Sequence, residues 1–200
     1  MTDLFFKSFS ETEPCISETI DNTDYSFGGL YKLSNSFIAT ESCTSKTIDN
    51  SDHSFGDIYD LANSFLAIES MTHKKLQKLC YYAKAWYLAI NDTNLVTEPF
   101  EAWVHGAVQP RLYQKYRAYG FHPIPMYTGL IEDLPEEFLS FAREIFSSYG
   151  ELSGDDLEQL NHKEPPWLNA REGLKPWQNS DVEISEEDMK VYYRSLMNEK

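Results

Sequence analysis

Ile58, Leu61, Ala62, Phe65 and Leu66 recur at i, i+3, i+4 spacing within SFGDIYDLANSFLAIES, residues 54–70, and predict an amphipathic helix. The same pattern occurs once already, because Ser26 to Ser42 reads SFGGLYKLSNSFIATES. Aligned over Ser17–Thr44 and Ser45–Thr72, the copies agree at 18 of 28 positions, which marks a tandem duplication. Two copies do not make a repeat array, in which three or more units stack to bury a continuous core. The first copy's stripe is Leu30, Leu33, Ser34, Phe37 and Ile38, with a polar Ser34 in place of Ala62 and Thr40 in place of Ile68. Only the second copy leads directly into the next helix. Copy two therefore reads as the working element and copy one as a slightly decayed duplicate.

The stripe that follows is the strongest in the chain. Thr72 is placed to cap a helix reaching about Asn91, with Leu76, Leu79, Cys80, Ala83, Tyr87 and Ile90 along one face. Tyr81 and Tyr82 are adjacent and point about 100° apart on a helix, so one is expected in the core and the other at the surface. Lys74, Lys75 and Lys78 predict a basic rim. EPFEAWVHGAVQP, residues 98–110, alternates bulky residues around Gly106 and predicts a short strand or hairpin. Pro110 opens a helix through Tyr119 that Gly120 stops. FHPIPMYTG, residues 121–129, reads as a proline-broken loop.

A helix from Pro135 carries Phe138, Phe141, Ala142 and Ile145 on one side and ends at Gly150. Ser153, with Asp155 and Asp156 behind it, caps a short helix to about His162. Pro165–Pro166 interrupts the chain before a further turn or two over Trp167–Glu172. Val182–Ile184 is a candidate short strand. Ser185 with Glu186, Glu187 and Asp188 starts a last helix ending near Met197. The pattern predicts a mainly α protein: a compact helical domain with a small β-hairpin or short-strand element, preceded by a duplicated N-terminal helical segment. Residues 1–16 form a tail, 17–44 the duplicate and 45–200 the domain.

Composition narrows the class. A 42% hydrophobic and 14% aromatic content belongs to a folded globule rather than a disordered tail. No apolar run approaches the ~20 residues of a spanning helix, and the first residues lack a signal-peptide pattern. Cys15, Cys43 and Cys80 are odd in number and scattered, which suits reduced thiols in the cytoplasm rather than a disulfide framework. The net charge of −15 argues against nucleic acid as a partner and favours encounter with a basic one.

Catalytic signatures are sparse. His53, His73, His105, His122 and His162 include no HxxH, HxH or HExxH spacing, and no cysteine completes a zinc pattern. There is no nucleophile elbow, P-loop or dinucleotide fingerprint. His162, Glu164 and Asp155/Asp156 make the most tempting acid–base set. His162 also sits at a helix end, where an imidazole satisfies terminal carbonyls, and that role is favoured. Trp103 is expected to pack inward from its strand, whereas Trp177, in KPWQNSD, is expected to be exposed.

Three ordered segments resemble one family. LANSFLAIESMTHKKLQKLCYYAKAWYLA is similar to the opening helices of the Panacea domain, with its KLQKLxYYA core. EPFEAWVHGAVQPRLYQKY resembles that family's strand-and-turn segment around W-x-x-G-P-V. LEQLNHKEPPWLNAR resembles its L-x-x-L-T/S-H…P-W-x-x-A-R segment. The chain departs from the pattern at Ala107, where proline is usual, and at Asn161, where Thr or Ser is usual. The resemblance implies a bacterial or phage antitoxin that binds and neutralises a cognate protein toxin, without enzymatic activity, metal or cofactor. One branch implies instead an adaptor that hands its toxin to a Clp-type protease; a small hydrolase using His162 and Glu164 is the alternative from another class.

The residues expected to meet the partner are the exposed flank of the second helix, Lys74, Gln77, Lys78 and Tyr82, together with Trp103, His105 and Gly106 of the strand-turn segment. Leu76, Leu79, His162 and Trp167 are expected to hold the fold. No membrane or nucleic-acid partner is expected. The duplicate helix offers three outcomes: an inert extra helix, exchange into a homodimer, or a cover over the partner surface.

Overall fold

The computed structural model describes residues 55–198. The tail 1–16, the duplicate 17–44 and the approach to the second copy lie outside the described residues, as do Cys15, Cys43 and His53. Among the described residues the α-helices are α1 (Ile58–Leu66), α2 (His73–Asn91), α3 (Pro110–Tyr116), α4 (Glu136–Tyr149), α5 (Gly154–Asn161), α6 (Pro165–Ala170) and α7 (Glu186–Asn198). Two antiparallel two-stranded sheets join them: β1 (Met71–Thr72) pairs with β4 (Pro123–Ile124), and β2 (Glu101–Trp103) with β3 (Gly106–Val108). This is the mainly helical class with small β elements that the stripes predict.

Asp57 starts α1 by accepting hydrogen bonds from the N–H groups of Tyr59 and Asp60, while Asp60 accepts one back from Asp57 N–H. The predicted stripe of Ile58, Leu61, Ala62, Phe65 and Leu66 is buried, and α1 packs on α4 and α2. Each fully buried side chain of this size contributes roughly 1.5–3 kcal/mol, so α1 is held mainly by its apolar face.

Thr72 Oγ1 accepts from Lys75 N–H and caps α2 as expected. The rest of α2 departs from the one-sided stripe, because every residue from Leu76 to Ala89 is buried. α2 is a central shaft wrapped by α1, α3, α4, α5, α7 and β3. A helix buried all round leaves no surface face for its polar residues. Lys84 is fully buried, its ammonium donating to Glu98 O at 3.0 Å and meeting Glu186 at 2.7 Å. Both Tyr81 and Tyr82 are core residues at 0% exposure, which overturns the expected split between core and surface. α7 supplies the reason: Tyr193 packs edge-on against both rings, and Tyr82 also stacks on Tyr149 of α4 at 4.4 Å.

Two further elements correct the prolines. Pro165 and Pro166 do not interrupt the chain ahead of a turn over Trp167–Glu172; they are the first residues of α6, which ends at Ala170. The first helical turn needs no intrahelical N–H, and proline's fixed φ suits it. The loop after Gly120 (φ 56°) contains β4, whose Ile124 and Pro123 face Met71 and Thr72. Two residues are too few to show a period of two in the sequence. The Val182–Ile184 segment runs along β2, accepting from Ala102 N–H at Val182 O (2.8 Å) and donating from Ile184 N–H to Phe100 O (2.7 Å).

A cleft walled by the hairpin

The β2–β3 hairpin is fastened to α2 by the two polar residues between Leu76 and Leu79. Gln77 donates to Gln109 O at 3.1 Å and accepts from Gln109 N–H at 2.8 Å, so its amide substitutes for a neighbouring strand. Lys78 Nζ donates to His105 O at 2.5 Å and to Ala107 O at 3.0 Å, on either side of Gly106. Burial pulls the Lys78 ammonium down to about 7. Gly106 has φ +89°, and a Cβ there would lie 2.5 Å from Lys78 Nζ and 2.8 Å from Asn161 Oδ1. The glycine thus serves both the turn and the passage of the lysine beneath it.

Behind the hairpin, Asn161 accepts from Ala107 N–H at 2.7 Å and donates to Glu164 at 3.0 Å. Tyr193 OH donates to the same carboxyl oxygen at 2.9 Å. Burial pushes the Glu164 carboxyl up to about 7. Trp167 Nε1 donates to Trp103 O at 3.1 Å, and the His162 ring stacks on Trp167 at 4.2 Å. His162 therefore supports the hairpin through Trp167, and it ends α5 as its C-cap with the backbone N–H, which donates to Glu158 O and Leu160 O, rather than with the ring. Of the residues expected to hold the fold, Leu76, Leu79 and Trp167 are buried.

In front of the hairpin lies a cleft of about 660 Å³, bounded by the first turns of α2 and α5, by α3 and by Gly120–Phe121. Lys74, Gln77, Lys78, Trp103 and His105 all line it, so the fold gathers five of the seven expected partner-contact residues at one place. Gly106 is buried behind them, and Tyr82 lies in the core. The expected exposed flank is corrected at the same time. Gln77 and Lys78 are 3% and 1% exposed because the hairpin covers them, and the lysine rim is not free. Lys74 pairs with Asp155 at 2.5 Å and with Glu158, and His105 Nδ1 lies 3.0 Å from Glu158.

The sequence pattern missed the opposite wall. His73, Val108, Tyr113, Arg117 and Phe121 complete the cleft. Tyr113 meets Trp103 edge-on at 4.9 Å, and Phe121 is 99% exposed at the mouth. Only an apolar residue directly after a stop glycine hinted at Phe121. Trp103, half-buried, also walls a second cleft of about 630 Å³ shared with Trp177 and Asp181. Trp177 is 73% exposed, as its polar surroundings predict.

The alternative acid–base set does not converge. Asp155 and Asp156 occupy the first turn of α5, Asp156 within a capping box with Ser153. Glu164 lies beyond the other end of that eight-residue helix, roughly 12 Å along the axis. Among the described residues no group of three His, Cys, Asp or Glu side chains is placed to share a metal ion.

Fold and cleft together define a mainly helical domain whose central helix carries a polar-clamped hairpin beside a cleft. Residues 76–168 match the family model described as antitoxin SocA-like, Panacea domain, a span that takes in α2 from Leu76, the hairpin and the helices through most of α6. The match bears out the resemblance carried by the three motifs and points to a toxin–antitoxin role. No curated protein and no solved structure matches the chain. Among the described residues no helix is long and apolar enough to cross a membrane.

Proposed function

We propose that this chain is a non-enzymatic antitoxin that neutralises a cognate protein toxin by binding it directly, with the hairpin-walled cleft as the docking surface. The observation that supports the reading most is convergence. Lys74, Gln77, Lys78, Trp103 and His105 come from separate stretches of the sequence and line one cleft, and all but Lys74 fall within the span that matches the antitoxin family. Half-buried aromatic side chains in a preformed concave site are the groups that dominate protein interfaces. Neutralisation by occlusion requires only that the complex cover the toxin's own working surface, so the antitoxin needs no chemistry of its own.

The test is growth of cells expressing the adjacent open reading frame, with and without this chain. Arrest that this chain relieves, with the two proteins co-purifying at unchanged toxin level, is the expected result. A toxin level that falls only when a Clp-type protease is present would replace occlusion by delivery for degradation. Absence of arrest from either neighbouring frame would sink the antitoxin proposal.

A further inference from the structure

Resting on the antitoxin reading, we infer that the cleft accepts a segment of the partner protein in which a large apolar side chain lies beside a carboxylate. Its walls supply the first half of that match. Trp103, Val108, Tyr113 and Phe121 present apolar surface from three elements, and Phe121, 99% exposed, leaves a whole ring in water at the mouth. A concave apolar site of this size takes a side chain rather than a flat surface.

The second half comes from the unbalanced charge. Of the cations lining the cleft, Lys74 is matched by Asp155 and Glu158, and Lys78 spends its donors on two hairpin carbonyls. Arg117 lines the same cleft, is exposed, and forms no ion pair among the described residues. A guanidinium offers a planar fork suited to a carboxylate. The chain as a whole carries −15, and Arg117 places an exposed positive charge with no ion pair among the described residues on the cleft wall. Long-range charge favours approach of a basic partner, whereas the cleft selects an anionic, apolar spot on it and thereby fixes the docking register.

Three blocked tripeptides serve as probes against the full-length chain labelled with nitrogen-15: Asp-Phe-Asp, Lys-Phe-Lys and Asp-Gly-Asp. Asp-Phe-Asp is expected to shift the indole N–H signal of Trp103, identified by its loss in Trp103→Phe, and to bind about fivefold or more tightly than either other peptide. Arg117→Gln should erase the preference over Lys-Phe-Lys, and Phe121→Ser should weaken both Phe peptides; both positions are exposed, so the fold survives. Equal binding of the basic peptide, or shifts confined to residues outside the cleft, would overturn the inference. The growth assay separates this inference from the antitoxin reading. If the Arg117→Gln, Phe121→Ser double variant protects as well as the unaltered chain, the cleft assignment fails and the antitoxin reading stands. If the unaltered chain itself gives no protection, the antitoxin reading fails, and with it the assignment of a toxin segment to the cleft.

Discussion

At the scale of single residues, the polar pair Gln77–Lys78 explains why a core helix carries charge. Both side chains satisfy hairpin backbone groups that the short two-stranded sheet leaves open. Ala107 and Asn161, the two departures from the family pattern, touch each other: Ala107 N–H donates to Asn161 Oδ1. Proline at 107 would offer no such donor. Gly106→Ala is expected to destabilise the fold by ~2 kcal/mol or more, from left-handed strain and collision with Lys78. Thermal denaturation should show the midpoint falling by roughly 5 °C or more. The buried ionisable groups also set a pH signature. Glu164, raised from 4.5 to about 7, holds its proton longer in the folded chain, so its contribution is full below 4.5 and is lost as pH rises to 7. Lys78, lowered from 10.5 to about 7, has the opposite slope, and its contribution grows from pH 7 to 10.5. The thermal midpoint is expected to dip near neutrality, with Glu164→Gln flattening the acid side and Lys78→Met the alkaline side. A profile that neither variant alters would show that these groups are not buried as described.

Among the elements, the hairpin depends on distant helices more than on its own three-residue strands. An isolated two-stranded hairpin is marginal in water, and this one is held by α2 in front, by Trp167 of α6 behind, and by Arg171 at its edge. Arg171 is buried and donates to Ala102 O at 2.7 Å and to Gln178 O at 2.7 Å, with Lys175 O and Pro176 O also in reach. One guanidinium thus joins the hairpin to the segment that carries Trp177. Arg171→Ala is expected to cost about 3 kcal/mol, since several buried carbonyls lose their donor. Hydrogen exchange should speed up at the amides of Ala102 and Ile184, which pair β2 with that segment. Arg171→Lys should restore only part of the protection, because an ammonium cannot span both sets of carbonyls.

For the whole molecule, the second copy of the duplicated segment already fills the groove against α2 and α4 with a capped helix. The first copy has Gly29 and Lys32 where Asp57 and Asp60 build the capping box, and such a cap is worth ~1 kcal/mol. Deleting residues 1–44 is therefore expected to leave the thermal midpoint within a few degrees and growth protection intact; a lost fold or lost protection would give the first copy a working role. By itself the sequence determined the helices whose burial is one-sided. The stripes of α1 and α4, the caps at Thr72 and Ser153, the stop at Gly120 and the hairpin around Gly106 are local patterns set by helical period, capping chemistry and glycine. The motifs of the central segments likewise made the likeness to the Panacea antitoxin model over residues 76–168 legible. Tertiary structure alone decided the rest. Whether Lys78 and Tyr82 face water depends on which elements land on α2, and the hairpin and α7, from positions 101–108 and 186–198, cover them. The second wall of the cleft, Tyr113, Arg117 and Phe121, has the same origin: these residues acquire a shared surface with Lys74 and Trp103 only when the chain closes, and no local spacing records that contact.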